Sequence, residues 1–213
     1  MSGVVDVLLV VLILTNLTLL GSSRLHACIR TVAGQAVVLA AIPLLADGDI
    51  GFRVILLAAA GLAVRAVVLP QLLHRAVREA DVEREVEPLI GFTTSLVAGV
   101  GLLVLAMHLA SRLPLPTAET STLLIPTALF TIMTGLLLIV SRVKAVMQVV
   151  GYLVLENGIY AFGMAFAVEE PMLVEMGILL DVFAAVFVMG IMIYHINREF
   201  DHIDTDRLSA LKD

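Results

Sequence analysis

Five side chains that carry or can carry charge stand inside long apolar runs: Arg65, His108, Glu156, Glu175 and Asp181. Ionisable groups at membrane depth are costly, and where a chain keeps them they pair, face a polar interior or line an ion route. The sharpest case is Glu156, within VVGYLVLENGIYAFG (149–163), with no other charge within ten residues on either side. Asp181 lies on the following apolar run, beyond the Glu169-Glu170-Pro171 turn. Counted from that turn, Glu156 lies about 13 residues back and Asp181 about 11 forward. At ~1.5 Å of helical rise per residue, the two carboxyls stand within a few ångströms of one level. Two acids at one depth oppose each other's charge, and burial acts in the same sense. That is the tuning a proton relay requires. The sequence sets their level but not the direction in which they face.

The other candidates differ by depth. Glu175 is six residues before Asp181, about 9 Å nearer the outer surface and ~120° away around the helix, which suits a mouth or interfacial residue. Arg65 lies in the inner half of its run and cannot shed its proton. It therefore needs a counter-charge from this chain or a neighbour, a wet cavity, or a route for snorkelling. His108 and His195 stand near opposite membrane faces, so they form no paired haem site. His26, His74 and His202 read as loop residues without metal-ligand spacing. Asn157 reads as helix-packing glue, and Gly151, Gly158 and Gly163 as sites of close helix approach.

The elements that hold these groups follow from composition. The chain has 213 residues, of which 60% are hydrophobic and 15% charged, with a mean hydropathy of +1.05. Soluble domains run nearer 45–50% apolar and about 25% charged. Apolar runs of about 20 residues, each long enough to cross a bilayer, recur at roughly 3–21, 27–46, 52–72, 90–110, 121–141, 145–167 and 172–196. The expected fold is an all-α integral membrane bundle of seven transmembrane helices. Pro43 marks a kink or early exit from the second span. The first span follows MSGVVD, which carries Asp6 and no basic residue, and is expected to be a retained helix rather than a signal peptide.

Basic residues orient the bundle. One set of alternate loops, with the tail, holds ten: Arg24, Arg30, Arg75, Arg78, Arg84, Arg142, Lys144, Arg198, Arg207 and Lys212. The other set holds two, Arg53 and Arg112. The positive-inside rule then puts the N-terminus outside and the C-terminus in the cytoplasm. The sizeable loop, 74–88, is dense in charges of both signs. It reads as a solvated extension of the third helix or as a docking surface for a cytoplasmic partner.

Several chemistries are set aside. Cys28 is the single cysteine, so no internal disulfide or cysteine metal cluster can form. There is no glycine-rich phosphate loop, Gly-x-Ser-x-Gly, His-Glu-x-x-His or Cys-x-x-Cys. A retinal protein needs a Schiff-base lysine in its last span, and Lys144 and Lys212 both lie outside the spans. The net charge of −6 is distributed loop by loop, and no nucleic-acid partner is expected.

The stretch SRVKAVMQVVGYLVLENGIYAFGMAF, a turn, then LVEMGILLDVFAAVFVMGIMIYHI resembles the last two helices of component E of hydrogenase-4, and through it the K subunit of respiratory complex I. It shares the basic turn (Arg142, Lys144), the mid-helix Glu156 and the mid-helix Asp181. Two departures stand out: the second acid is Asp where the K subunit has Glu, and Glu156 falls about one helical turn from the K-subunit position. The resemblance implies a single membrane domain over 1–213. Within it lie a four-helix N-terminal part (1–110), a three-helix K-like part (120–197) and a cytoplasmic tail (198–213). It also implies a subunit of an energy-converting hydrogenase or formate hydrogenlyase in the inner membrane. Such a subunit has no active site and binds no cofactor. The [NiFe] centre and iron–sulfur clusters belong to other subunits, and antiporter-like membrane subunits are its partners along with lipid. Glu156 and Asp181, with Glu175 and Arg65, are then the expected ion pathway. The alternatives are a subunit of a multicomponent cation/proton antiporter, a scaffold whose buried acids only fix packing, and a stand-alone small transporter.

Overall fold

Unpaired backbone groups are so costly in lipid that an apolar chain crossing it coils into helices. The computed structural model describes residues 2–45, 62–79, 89–113 and 121–165. Within them lie α1 (Ser2–Gly21), α2 (Leu25–Leu45), a π-helical turn (Val64–Val68) running into α3 (Leu69–Glu79), α4 (Phe92–Ala110), α5 (Leu124–Ser141) and α6 (Ala145–Met164). The described residues contain no strand. Among the described residues, four stretches are long and apolar enough to cross a membrane: Gly3–Gly21, Leu25–Pro43, Phe92–Ala110 and Leu124–Ser141. α6 has 20 residues, about 30 Å of helix. The last expected span, with Glu175 and Asp181, lies outside the described residues.

Details differ from expectation at three places. α2 continues through Pro43 to Leu45, so the proline does not end it. The third helix runs on to Glu79, past the span's expected end at 72, which agrees with the reading of the charged segment's first part as an extension of that helix. His26 sits in the first turn of α2 and His74 in α3, so neither is a loop residue.

α1 shows how an evenly apolar helix still acquires two faces. Leu9, Leu12, Ile13, Asn16, Leu19 and Leu20 are buried, whereas Val4, Val7, Val10, Val11 and Leu14 are exposed. The buried set recurs at three- and four-residue intervals, as one helix face must. In lipid no hydrophobic effect separates these faces; close packing and interhelical hydrogen bonds do.

The α5–α6 hairpin is the closest-packed unit. A Cβ on Gly151 would lie 2.9 Å from Ile139 N and 3.0 Å from Gly135 O, and one on Gly158 would lie 2.6 Å from Ile132 N. A Cβ on Gly135 would overlap the backbone of Leu155. The two backbones therefore touch, as expected at Gly151 and Gly158. At Gly163 nothing lies within 4 Å, and the expected close approach is not made there.

Two apolar clusters occupy the ends of the bundle. One joins Leu19, Leu20, Leu25, Cys28, Ile29 and Val32 to Leu69, Leu73, Leu138, Met147 and Val150. It lies at the end that carries Arg24, Arg142 and Lys144, called the basic end below. The other joins Leu9, Leu12, Leu39 and Ile42 to Leu124, Ala128 and Ala161. Between these two dry layers lie Asn16, Gln35, Thr131, Glu156 and Asn157, all buried.

Candidate functional site: a buried ion pair in a polar belt

Glu156 lies on α6 and its side chain is 2% exposed. Its carboxylate accepts a hydrogen bond from Arg65, Nη2 to Oε1 at 3.2 Å. Arg65 is carried by the π-helical turn. Such a turn inserts an extra residue per hydrogen-bonded ring and is frequent at functional sites. Its guanidinium also lies over the Tyr160 ring, 4.7 Å from the centroid. Tyr160 follows Glu156 by four residues, one helical turn along the same face. Arg65 is thus held by an anion and a π face side by side. The counter-charge that its burial demands comes from within this chain. Where the sequence separated Arg65 from Glu156 by 91 residues, the fold brings them into contact.

Beside the ion pair runs a chain of neutral polar groups. Asn157 Nδ2 donates to Gln35 Oε1 at 3.4 Å. Gln35 Nε2 donates to Asn16 Oδ1 at 2.8 Å and to Thr15 Oγ1 at 3.0 Å. Asn16 Nδ2 donates to Thr131 Oγ1 at 2.8 Å, and that hydroxyl donates to the Thr127 carbonyl at 2.7 Å. Asn16, Gln35, Thr131 and Asn157 are all buried. Together with Arg65 and Glu156 they form a polar belt across α1, α2, the π turn, α5 and α6. Amides buried this way must satisfy one another, because each one left alone would cost about 1–3 kcal/mol.

A second buried cation closes the basic end. Arg142, just after α5, is 1% exposed. Its Nη2 donates to the Leu20 carbonyl at 2.8 Å, and its Nη1 to Ser95 Oγ at 3.3 Å and to the Ile90 carbonyl at 3.5 Å. The guanidinium lies 5.3 Å from the Phe92 ring centroid. Burial pulls it below the ordinary arginine range and the nearby Cys28 acts in the opposite sense, yet a guanidinium keeps its proton in any protein setting. The carbonyl of Leu20 belongs to the last turn of α1, and Arg142 follows the last turn of α5. The negative ends of two helix dipoles therefore meet this cation.

His26 and His74 meet through their Nδ1 atoms at 3.0 Å. Their ring centroids are 5.1 Å apart with planes 22° from parallel. One ring donates and the other accepts. Asp6, at the far end of α1, accepts a hydrogen bond from Ser121 Oγ. His108 is exposed on the last turn of α4, in keeping with an interfacial position.

Of the expected pathway residues, the structure brings Glu156 and Arg65 together. Glu175 and Asp181 lie outside the described residues. Sequence reasoning missed Gln35 and the burial of Arg142. Gln35 carries no charge in an apolar run and drew no notice. Its signal was depth, because Gln35, Thr131 and Asn157 each lie ten to twelve residues from the basic ends of their helices. Arg142 looked like an ordinary interfacial arginine, and nothing in its own segment shows that α1 and α4 close over it.

A helical bundle with several membrane-capable helices and a buried ion pair in a polar belt belongs to the class of multi-pass membrane proteins. Comparison with known proteins narrows the class. Residues 122–213 match the family model for NADH-ubiquinone/plastoquinone oxidoreductase chain 4L, the K-subunit family of complex I. The chain is 36% identical over 206 residues to "Uncharacterized protein Rv0085" of Mycobacterium tuberculosis, covering 95% of this chain and 93% of that one. It is 27% identical over 160 residues to hydrogenase-4 component E of Escherichia coli K12, covering 75% and 74%, and equally to that of Shigella flexneri. No solved structure matches. The chain is thus similar to hydrogenase-4 component E over 75% of its length, and its residues 122–213 are similar to chain 4L of complex I. The matched region begins at α5 and includes Glu156.

Proposed function

We propose that this protein is a non-catalytic membrane-arm subunit of an energy-converting hydrogenase or formate hydrogenlyase-type complex. In it, Glu156 works as a switchable carboxyl in proton or sodium translocation, driven by redox chemistry on other subunits. The observation that carries this reading is the Arg65–Glu156 ion pair at 3.2 Å, whose carboxylate lies in the part of the chain similar to chain 4L. The family relation supports membership in a multisubunit membrane complex.

The chemistry follows from the asymmetry of the pair. Arg65 keeps its charge at all working pH values, whereas Glu156 can take a proton. Protonation of Glu156 discharges the ion pair and leaves the guanidinium over Tyr160, able to seek another carboxylate. Asp181, expected at the same level on the next span, is the proposed acceptor of that interaction, and Glu175 the acid nearer the outer mouth. A proton entering or leaving one carboxyl is thereby felt as a charge imbalance by the next. The remaining parts of the reading are seven spans with the N-terminus outside, an inner-membrane location, and docking to antiporter-like subunits. The clusters and [NiFe] centre reside on neighbouring subunits.

The test is Glu156→Gln in native membranes. The amide keeps the shape and can still accept from Arg65, so the complex is expected to assemble while ion movement per redox turnover falls. Full coupling in an assembled variant complex refutes the working role of Glu156. Gentle-detergent purification with mass spectrometry tests the setting. Hydrogenase-type and antiporter-like subunits are the expected companions; antiporter-like subunits without redox partners would transfer the chain to a cation/proton antiporter.

A further inference from the structure

We propose that Gln35 is a positioning residue for Glu156, holding α6 in the rotation that turns the carboxylate toward Arg65. This rests on the reading of Glu156 as the working carboxyl. The chain 4L family model does not reach Gln35, because its matched residues begin at 122.

The argument starts from two hydroxyls. Thr131 has one hydroxyl proton, and it goes to the Thr127 carbonyl at 2.7 Å. Thr15 likewise gives its proton to the Leu12 carbonyl at 2.8 Å. A backbone carbonyl can only accept, so toward their amide neighbours both hydroxyls must accept. Asn16 must then present its amide nitrogen to Thr131 and its oxygen to Gln35. Gln35 must present its nitrogen to Asn16 and Thr15, which leaves its Oε1 facing α6. There it can only accept, and Asn157 Nδ2 is the donor it meets, at 3.4 Å. Two fixed backbone acceptors thus set the direction of the whole chain and aim one specific acceptor at α6.

The register of the helices explains why this acts on Glu156. α2 and the segment from the π turn through α3 run antiparallel and meet at the basic end through His26 and His74 at 3.0 Å. Nine residues further along each come Gln35 and Arg65, which therefore stand at one level. They grasp consecutive residues of α6: Gln35 takes Asn157 and Arg65 takes Glu156. Neighbouring residues on a helix point about 100° apart. Two such grips, added to the apolar packing of α6, hold its rotation about the axis more closely than one alone. Gly135, Gly151 and Gly158 hold α5 and α6 at backbone contact, but a seam of glycines offers no side-chain interlock against turning.

The experiment titrates the infrared carbonyl band of protonated Glu156 in the purified complex, assigned by its loss in Glu156→Gln. It compares wild type with Gln35→Leu, Thr131→Val and the buried apolar control Leu39→Ala. With α6 released, Glu156 loses part of its Arg65 contact and holds its proton to higher pH. Gln35→Leu is expected to raise the midpoint by about one pH unit, the lower end of what an opposite charge at this range produces. Thr131→Val, which keeps the volume but unpins the chain, is expected to move it the same way by less. Leu39→Ala loosens packing and is expected to leave it in place. An unmoved midpoint in Gln35→Leu overturns the positioning role; if that variant does not fold, an unmoved midpoint in Thr131→Val does so. The band reads Glu156 whether or not it drives transport. Unchanged ion coupling in Glu156→Gln would refute the functional reading while the titration still decides the role of Gln35.

Discussion

The strength of the Arg65–Glu156 pair can be measured by a double-mutant cycle of Arg65→Met, Glu156→Gln and the pair together. Unit charges 3.2 Å apart attract by about 5 kcal/mol at an effective dielectric of about 20, which sets a ceiling. Two features lower it. The Arg65 side chain is 11% exposed, so it is not wholly enclosed with the carboxylate, and Tyr160 supports the guanidinium without the carboxylate. Breaking a buried pair by removing one partner costs about 3–5 kcal/mol. Glu156→Gln keeps an acceptor and loses only the charge assistance, about 1–2 kcal/mol. A coupling energy of about 2–3 kcal/mol is therefore expected at pH 8. Arg65→Met should be more stable at pH 5 than at pH 8, because a proton can discharge the carboxylate left behind. Cys28 supplies the assay: it is the single cysteine and is fully buried, so maleimide labelling in graded SDS reports unfolding. A coupling energy below about 0.5 kcal/mol, the level of an exposed surface pair, would refute the claim that the two charges depend on each other.

Two further predictions follow from packing. Gly158→Ala should destabilise the α5–α6 hairpin by about 1–3 kcal/mol, since its methyl meets main chain rather than a yielding side chain, whereas Gly163→Ala should be neutral within about 0.5 kcal/mol; the same labelling assay compares them. Arg142→Met should cost about 2–3 kcal/mol, because the carbonyl of Leu20 loses its buried donor, and Arg142→Lys should recover only part of the loss, since an ammonium cannot fork between Leu20 and Ser95; thermal unfolding in mild detergent measures both.

Glu156 and Arg65 were legible as candidates because each breaks an apolar run, and a charge in such a run demands a reason. That they answer each other was not legible. Arg65 was short of a counter-ion and Glu156 of a partner, but nothing between residues 65 and 156 says that the π turn faces α6. Gln35 and Arg142 escaped for opposite reasons. An amide is cheap enough in a span to pass unnoticed, and an arginine at a helix end is common enough to be taken for a surface charge. Only the neighbours reveal that Gln35 is fully enclosed with three hydrogen-bond partners and that Arg142 is sealed under α1 and α4.

What the sequence by itself determined is membrane residence, the helical state of the described spans and the level of each polar group along its helix. Hydropathy decides the solvent, a backbone in lipid must bond to itself, and rise per residue converts a position into a level. What only the tertiary structure decided is direction: which face of α6 carries Glu156 to Arg65, which way the amides of Asn16, Gln35 and Asn157 point, and which carbonyls receive Arg142. Depth is a one-dimensional quantity that runs with the chain. The rotation of one helix against another is set by contacts between residues far apart in sequence, and it exists only once the helices have packed.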